Sequence, residues 1–63
     1  MPEDADVALL SLARDLRARA EEVLARAETF HDAGAREMMR RIAASYEKLA
    51  RRLEIESGAA GGA

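Results

Sequence analysis

The sequence predicts an all-α protein: an antiparallel two-helix hairpin that packs like a coiled coil and assembles with a second copy into a four-helix bundle. In the first half of the chain, large apolar residues and alanines each recur with a period of seven. A second apolar stripe with the same alternation of four and three residues runs through the second half, and a short turn-forming segment separates the two halves. This spacing is typical of a helix that presents one face along a partner helix.

Composition supports long helices rather than a sheet. Hydrophobic residues make up 49%, charged residues 35% and aromatic residues 3% of the 63 residues, and this profile is typical of coiled coils. Chains of this length bury too little surface to be comfortably stable alone, so we expect homo-oligomers. There is no cysteine and the only histidine is His31, so we expect neither disulfides, nor a structural metal, nor a cofactor.

Charge and hydropathy limit the location and the partners. The net charge is −2 and the pI is about 5.3, which disfavours a nucleic-acid partner, because phosphate binding needs positive charge. We find no leader segment in which basic residues are followed by apolar ones, and no apolar run of about 20 residues. We therefore expect no membrane association. The absence of cysteine fits a reducing compartment, and we expect a cytoplasmic location.

The first helix is predicted over about residues 5–30. Acidic residues precede its periodic segment, and Asp4 or Asp6 is the expected N-cap, where a carboxylate meets unpaired N–H groups. The face predicted to contact the second helix consists of Leu9, Ala13, Leu16, Ala20, Val23, Ala27 and Phe30.

The break between the helices is predicted at about residues 31–34. Asp32 is a good N-cap, and Gly34 is the only glycine before the C-terminal tail. A connection of two to four residues would fold the second helix back beside the first. The alternative is one continuous helix through Gly34, because a single glycine costs only about 1 kcal/mol.

The second helix is predicted over about residues 33–56. Its stripe starts at Ala35 and contributes these residues to the helix–helix interface: Met39, Ile42, Tyr46, Leu49 and Leu53. We expect the alanines of the first helix to form hollows for these larger side chains. Residues 1–56 would form the hairpin, and residues 57–63 a flexible tail rich in glycine and alanine.

Apolar residues beside the two stripes point to a further partner. Leu10 and Leu24 widen the stripe of the first helix, and Met38 and Ala43 widen that of the second. The apolar arc exceeds what a two-helix seam needs. We therefore expect Leu10, Leu24 and Met38 to flank an oligomer interface, most simply in a dimer that forms a four-helix bundle.

Few residues have the spacing of a catalytic or metal site. Glu28 and His31 have the spacing with which a di-iron bundle presents two ligands on one helix, but no stripe carboxylate near the turn completes a site. Ser11 and Ser45 have no histidine base within reach. We therefore expect no enzymatic activity.

Two other groups of residues have a structural and a functional interpretation. Basic residues along the second helix form either a solvated face with internal ion pairs or a face for an anionic partner, consisting of Arg36, Arg40, Arg51 and Arg52. Tyr46, Met38 and Met39 form either core packing or an adaptable binding surface.

The segment from Leu16 to Glu54 resembles a family of very short uncharacterised bacterial α-helical proteins. The shared pattern joins an Ala-Glu-Thr at residues 27–29 to an Ala-Arg-x-Met-Met-x-x-Ile-Ala-x-Ser-Tyr-Glu-x-Leu-Ala at residues 35–50. Many members have proline after the turn aspartate, where this chain has Ala33. The resemblance implies a helical hairpin and implies no activity.

From the sequence we therefore expect a small non-enzymatic protein that self-associates and serves as a protein–protein interaction or adaptor module. The alternative is a protein whose basic face binds nucleic acid or an acidic partner. Only the second interpretation predicts binding that weakens steeply with salt.

Overall fold

The computed structural model describes residues 2–58, with side chains described from Asp6 onward. It contains two helices, α1 (Pro2–Ala27) and α2 (Ala33–Glu56), and no strand within residues 2–58. The helices pack against each other along their lengths and form a rod with extents of 47 × 17 × 14 Å. Because only residues 28–32 connect them, α2 returns antiparallel beside α1.

Helix α1 begins earlier than expected. It starts at Pro2, so Asp4 and Asp6 lie inside the first turns of the helix rather than at its N-cap. Proline is well tolerated there, because the first N–H groups of a helix have no intrahelical partner. The acidic residues remain close to the positive end of the helix dipole, which is electrostatically favourable.

Helix α1 also ends earlier, at Ala27 rather than near residue 30. The Thr29 hydroxyl donates to the carbonyl of Arg26 at 2.7 Å, and the Thr29 N–H donates to the same oxygen at 3.0 Å. The N–H of Phe30 donates to the carbonyl of Ala27 at 3.2 Å. A threonine hydroxyl that binds a nearby carbonyl competes with the helical hydrogen-bonding pattern, so the helix closes in a tight last turn.

Helix α2 covers the range that the sequence leads us to expect, and Asp32 is its N-cap. Asp32 has an extended backbone (φ −78°, ψ 124°), and its Oδ2 accepts from the N–H of Ala35 at 2.8 Å. Two separate helices exclude the alternative of one continuous helix through Gly34.

A glycine with a left-handed backbone follows the C-terminus of α2. Gly58 has φ 83°, which non-glycine residues rarely adopt, and its N–H donates to the carbonyl of Ile55 at 3.0 Å. The N–H of Ser57 donates to the carbonyl of Leu53 at 2.9 Å. The expectation of a flexible tail concerns mainly residues 59–63, which lie outside the described residues.

The seam between the helices consists of alanines. Every buried apolar residue among those described is an alanine exposed by 3% or less, and they are Ala13, Ala20, Ala27, Ala43 and Ala50. Methyl groups on both helices let the two backbones approach closely. The larger residues of the stripes lie beside this seam and are half-buried: Leu9, Leu16, Val23, Met39, Tyr46 and Leu53.

This arrangement corrects the expected packing of small residues on α1 against large ones on α2. Helix α2 presents Ala43 and Ala50 to the seam, whereas Ile42 and Leu49 stay 39% and 48% exposed. The seam of α2 follows residues 39, 43, 46, 50 and 53, and the expected stripe followed 39, 42, 46, 49 and 53. Both series alternate four and three, so the spacing alone does not distinguish them.

No helix of the described chain is both long enough and apolar enough to cross a membrane.

Candidate functional site

The most distinctive surface of the hairpin is an apolar face on one side of the alanine seam. In both helices the large stripe residues lie between two seam alanines, three positions after one and four positions before the next. Leu16 of α1 and Tyr46 of α2 are examples. In an antiparallel pair, positions with the same offset from the seam lie on the same side. A surface depression contains Val23, Met39 and Tyr46 together, which agrees with this placement.

Several apolar residues further outward on the same side are accessible to water. Leu12 is 49% exposed on the α1 side, and Ile42 and Leu49 are 39% and 48% exposed on the α2 side. Phe30, in the connection after α1, is 41% exposed. We call the following set the apolar face: Leu9, Leu12, Leu16, Val23, Met39, Ile42, Tyr46, Leu49 and Leu53. Contiguous exposed apolar surface of this kind is typical of a protein interaction site.

Charged residues border the apolar face on the α1 side only. Arg19, Glu22 and Arg26 line the depression that Val23, Met39 and Tyr46 share. On the α2 side the corresponding border positions hold Ala35, Ile42 and Leu49. The two long edges of the face therefore differ in chemistry.

The opposite side of the hairpin contains an ion pair that joins the helices. Arg17 donates through Nε to Glu54 Oε2 at 2.9 Å and through Nη2 to Oε1 at 2.7 Å, the bidentate geometry that guanidinium and carboxylate favour. The side chains of Arg17 and Glu54 are 45% and 25% exposed. The hydrogen bond from Arg17 lowers the pKa of Glu54 below its ordinary value, and the same bond raises the pKa of Arg17.

The three residues expected to flank an oligomer interface do not share a surface. Leu10 is half-buried and Leu24 is 38% exposed, and both occupy the same offset from the seam as Arg17, which places them opposite the apolar face. Met38 is 65% exposed and points away from the seam on α2. Ala43, expected beside the stripe, lies in the seam itself.

The structure does not bring the four arginines of the expected anionic-partner face together. Arg36 is half-buried, and its Nη1 donates to the carbonyls of Phe30 at 2.8 Å and His31 at 3.1 Å. Its guanidinium therefore stabilises the connection between the helices instead of forming part of a free basic surface. Arg40, Arg51 and Arg52 are exposed, but Arg40 lies about three turns from Arg51 on the same side of α2, and Arg52 lies about 100° away around the helix.

A local ion pair forms along α2 between side chains four residues apart. Glu37 and Arg41 approach to 3.7 Å, with both side chains largely exposed. A pair this exposed contributes little to stability. The ion pair between Arg17 and Glu54 was not expected from the sequence, because it depends on how α1 and α2 align.

The residues considered for metal binding or catalysis lie apart. Glu28 and His31 are exposed and follow the end of α1, so the helical presentation that their spacing requires is not present. Ser45 donates to the carbonyl of Arg41 at 3.1 Å within its own helix, and Ser11 is exposed on α1. Within the described part of the chain, no three residues among His, Cys, Asp and Glu form a group able to hold a metal ion.

No protein-family model matches this chain, and the comparisons with curated proteins and with solved structures give no match either.

Proposed function

We propose that the chain is a non-enzymatic helical module that self-associates through its apolar face into a four-helix bundle and acts as a protein–protein interaction or adaptor module in the cytoplasm. The observation that carries the proposal is the contrast between the buried and the exposed apolar residues. Among the described residues the hairpin buries only alanines, while large side chains of the apolar face such as Leu12, Ile42 and Leu49 remain accessible.

The energetics of the seam lead to the same conclusion. No large side chain among the described residues is fully buried, and an alanine methyl contributes only about 0.8 kcal/mol on burial. The large residues beside the seam are only half-buried, while ordering each backbone residue costs about 1–2 kcal/mol. Covering the apolar face would add to the buried apolar surface.

Sedimentation equilibrium tests the proposal. We expect the wild-type protein to form a dimer at micromolar concentration, and Leu49→Glu to weaken the dimer by at least about tenfold, because a carboxylate would be desolvated in the interface. Ile55→Glu is the matched control, since Ile55 is an exposed apolar residue of the same helix outside the apolar face. A wild-type protein that is folded and monomeric at tens of micromolar would contradict the proposal.

A further inference from the structure

We propose that the apolar face is covered by a second copy of this chain. The two copies are related by a two-fold axis that lies between them and is perpendicular to the helices, so the two turns lie at opposite ends of the bundle. In this arrangement α1 packs antiparallel against α1 of the second copy, and α2 against α2. The inference rests on the proposed function and adds which elements meet and in which orientation.

The charges along the α1 edge of the apolar face complement one another under this symmetry. When α1 is paired with itself antiparallel about a point between residues 20 and 21, Arg19 faces Glu22 of the second copy, and Arg26 faces Asp15 of the second copy. All four side chains are exposed in the hairpin. The two-fold axis generates each pair twice, which gives four contacts of opposite charge at the rim.

The α2 edge is apolar and also complements itself. Antiparallel pairing of α2 with itself about a point between residues 45 and 46 brings Ile42 against Leu49 of the second copy. The two exposed apolar residues at this edge therefore cover each other and become buried.

One axis satisfies both helices at once. Val23 shares a depression with Met39 and Tyr46, which aligns it with the midpoint of those two residues. The pairing centre of α1 lies two to three residues from Val23, away from the turn. The pairing centre of α2 lies three residues from the Met39–Tyr46 midpoint, also away from the turn. The two centres are therefore at the same height in the rod to within about one residue, as a single two-fold axis requires.

In the other two-fold arrangement of two copies, both turns lie at the same end of the bundle, and the α1 edge of one apolar face meets the α2 edge of the other. That arrangement would pack α1 against α2 of the second copy, so that Arg19 and Arg26 face Ile42, Leu49 and Ala35. No carboxylate lies at those positions of α2. Two guanidinium groups at each edge would then lose water without gaining a partner, which is unfavourable.

Disulfide cross-linking tests the orientation, because the chain has no cysteine of its own. We expect Arg19→Cys to form covalent dimers at least about tenfold faster than Glu21→Cys, because neighbouring thiols at the two-fold axis have a millimolar effective concentration. Glu21 is the matched control, since it is exposed at the same height of α1 on the opposite side of the seam. Circular dichroism verifies that both variants keep their helices, and sedimentation of the reduced proteins measures dimerisation separately.

Three outcomes would overturn the inference. If the reduced proteins are monomeric, the proposed function fails and the orientation with it. If they are dimeric but an equimolar mixture of Arg19→Cys and Leu49→Cys forms the mixed disulfide in preference to the Arg19→Cys homodimer, self-association holds and the turns lie at the same end. If they are dimeric and Glu21→Cys cross-links as fast as Arg19→Cys, self-association holds and uses a different face.

Discussion

The methyl group of Ala20 sets how closely the two helices approach. It is 1% exposed near the middle of the seam, where alanines from both helices replace the interlocking large side chains of an ordinary coiled coil. A small residue here contributes less through its own burial than through the close approach of the helices that it permits.

Ala20→Leu should destabilise the protein by roughly 1–3 kcal/mol, because the larger side chain would force the helices apart. Urea unfolding at a fixed protein concentration measures the change. The control is Ala25→Leu, which makes the same substitution at an exposed position of α1 and should be nearly neutral. A neutral or stabilising Ala20→Leu would show that the seam is assigned incorrectly.

The seam alanines of α1 could be predicted from the sequence, but those of α2 could not. Ala13, Ala20 and Ala27 alternate with large residues, so only one stripe fits α1. In α2 the alanines at 43 and 50 are each preceded by a large residue, at 42 and 49. Two overlapping stripes therefore have the same period, and hydrophobicity favours the larger side chains. The choice depends on the distance between the helices, which the sequence of α2 alone does not contain.

At the scale of the elements, two side chains stabilise the connection between the helices. Asp32 caps α2, and Arg36 reaches back to the carbonyls of Phe30 and His31. Because these carbonyls follow the end of α1, the guanidinium links the first turn of α2 to the chain leaving α1. The cap could be predicted from the Asp-x-Gly sequence, whereas the role of Arg36 could not, because its partners are backbone atoms in an irregular segment.

Arg36→Met should lower the free energy of unfolding by about 1–3 kcal/mol, since it leaves two carbonyls of the connection without their charged donor while keeping a long apolar side chain. Thermal unfolding followed by circular dichroism measures the loss. Arg40→Met, at an exposed position one turn further along α2, should change the midpoint little. Equal effects of the two substitutions would show that the hydrogen bonds of Arg36 do not stabilise the connection.

A helix end could be predicted where a local side-chain signal marks it. The start of α2 has a local signal in Asp32, and the expected and observed positions coincide. The end of α1 has none, because the Ala-Glu-Thr-Phe segment is compatible with another helical turn. There, the hydroxyl of Thr29 and the geometry of the connection decide where the helix ends.

At the scale of the whole molecule, the hairpin has one charged side, closed by Arg17 and Glu54, and one apolar side. The sequence predicts an excess of apolar residues, but their distribution between the two sides depends on how the helices rotate about the seam. That rotation places Leu10 and Leu24 on the charged side and Ile42 and Leu49 on the apolar side. A dimer is therefore an expectation from the sequence, whereas the face that we propose for it depends on how the structure distributes these residues.

Acidification should destabilise the hairpin through the ion pair that closes it. Because the hydrogen bond from Arg17 lowers the pKa of Glu54 in the folded state, the unfolded chain binds the proton more tightly. The contribution of the pair is therefore complete above the ordinary pKa of 4.5, and it is lost as the pH falls through the lowered folded-state value.

Glu54→Gln should lower stability at neutral pH and flatten this acid dependence, as urea unfolding between about pH 2 and 7 would measure. Glu56→Gln removes the same charge from the same end of α2 and is the control. An acid dependence identical in wild type and Glu54→Gln would show that the pair does not couple protonation to folding.

The evenly spaced alanines have one more consequence. A groove of identical methyl groups looks the same after a slide of one heptad, about 10 Å along the axis, so it does little to fix where one helix stops relative to the other. The five-residue connection prevents that slide at one end, and the Arg17–Glu54 contact opposes it further along. Separate peptides of the two helices, lacking the tether, would therefore associate in several staggered alignments rather than one.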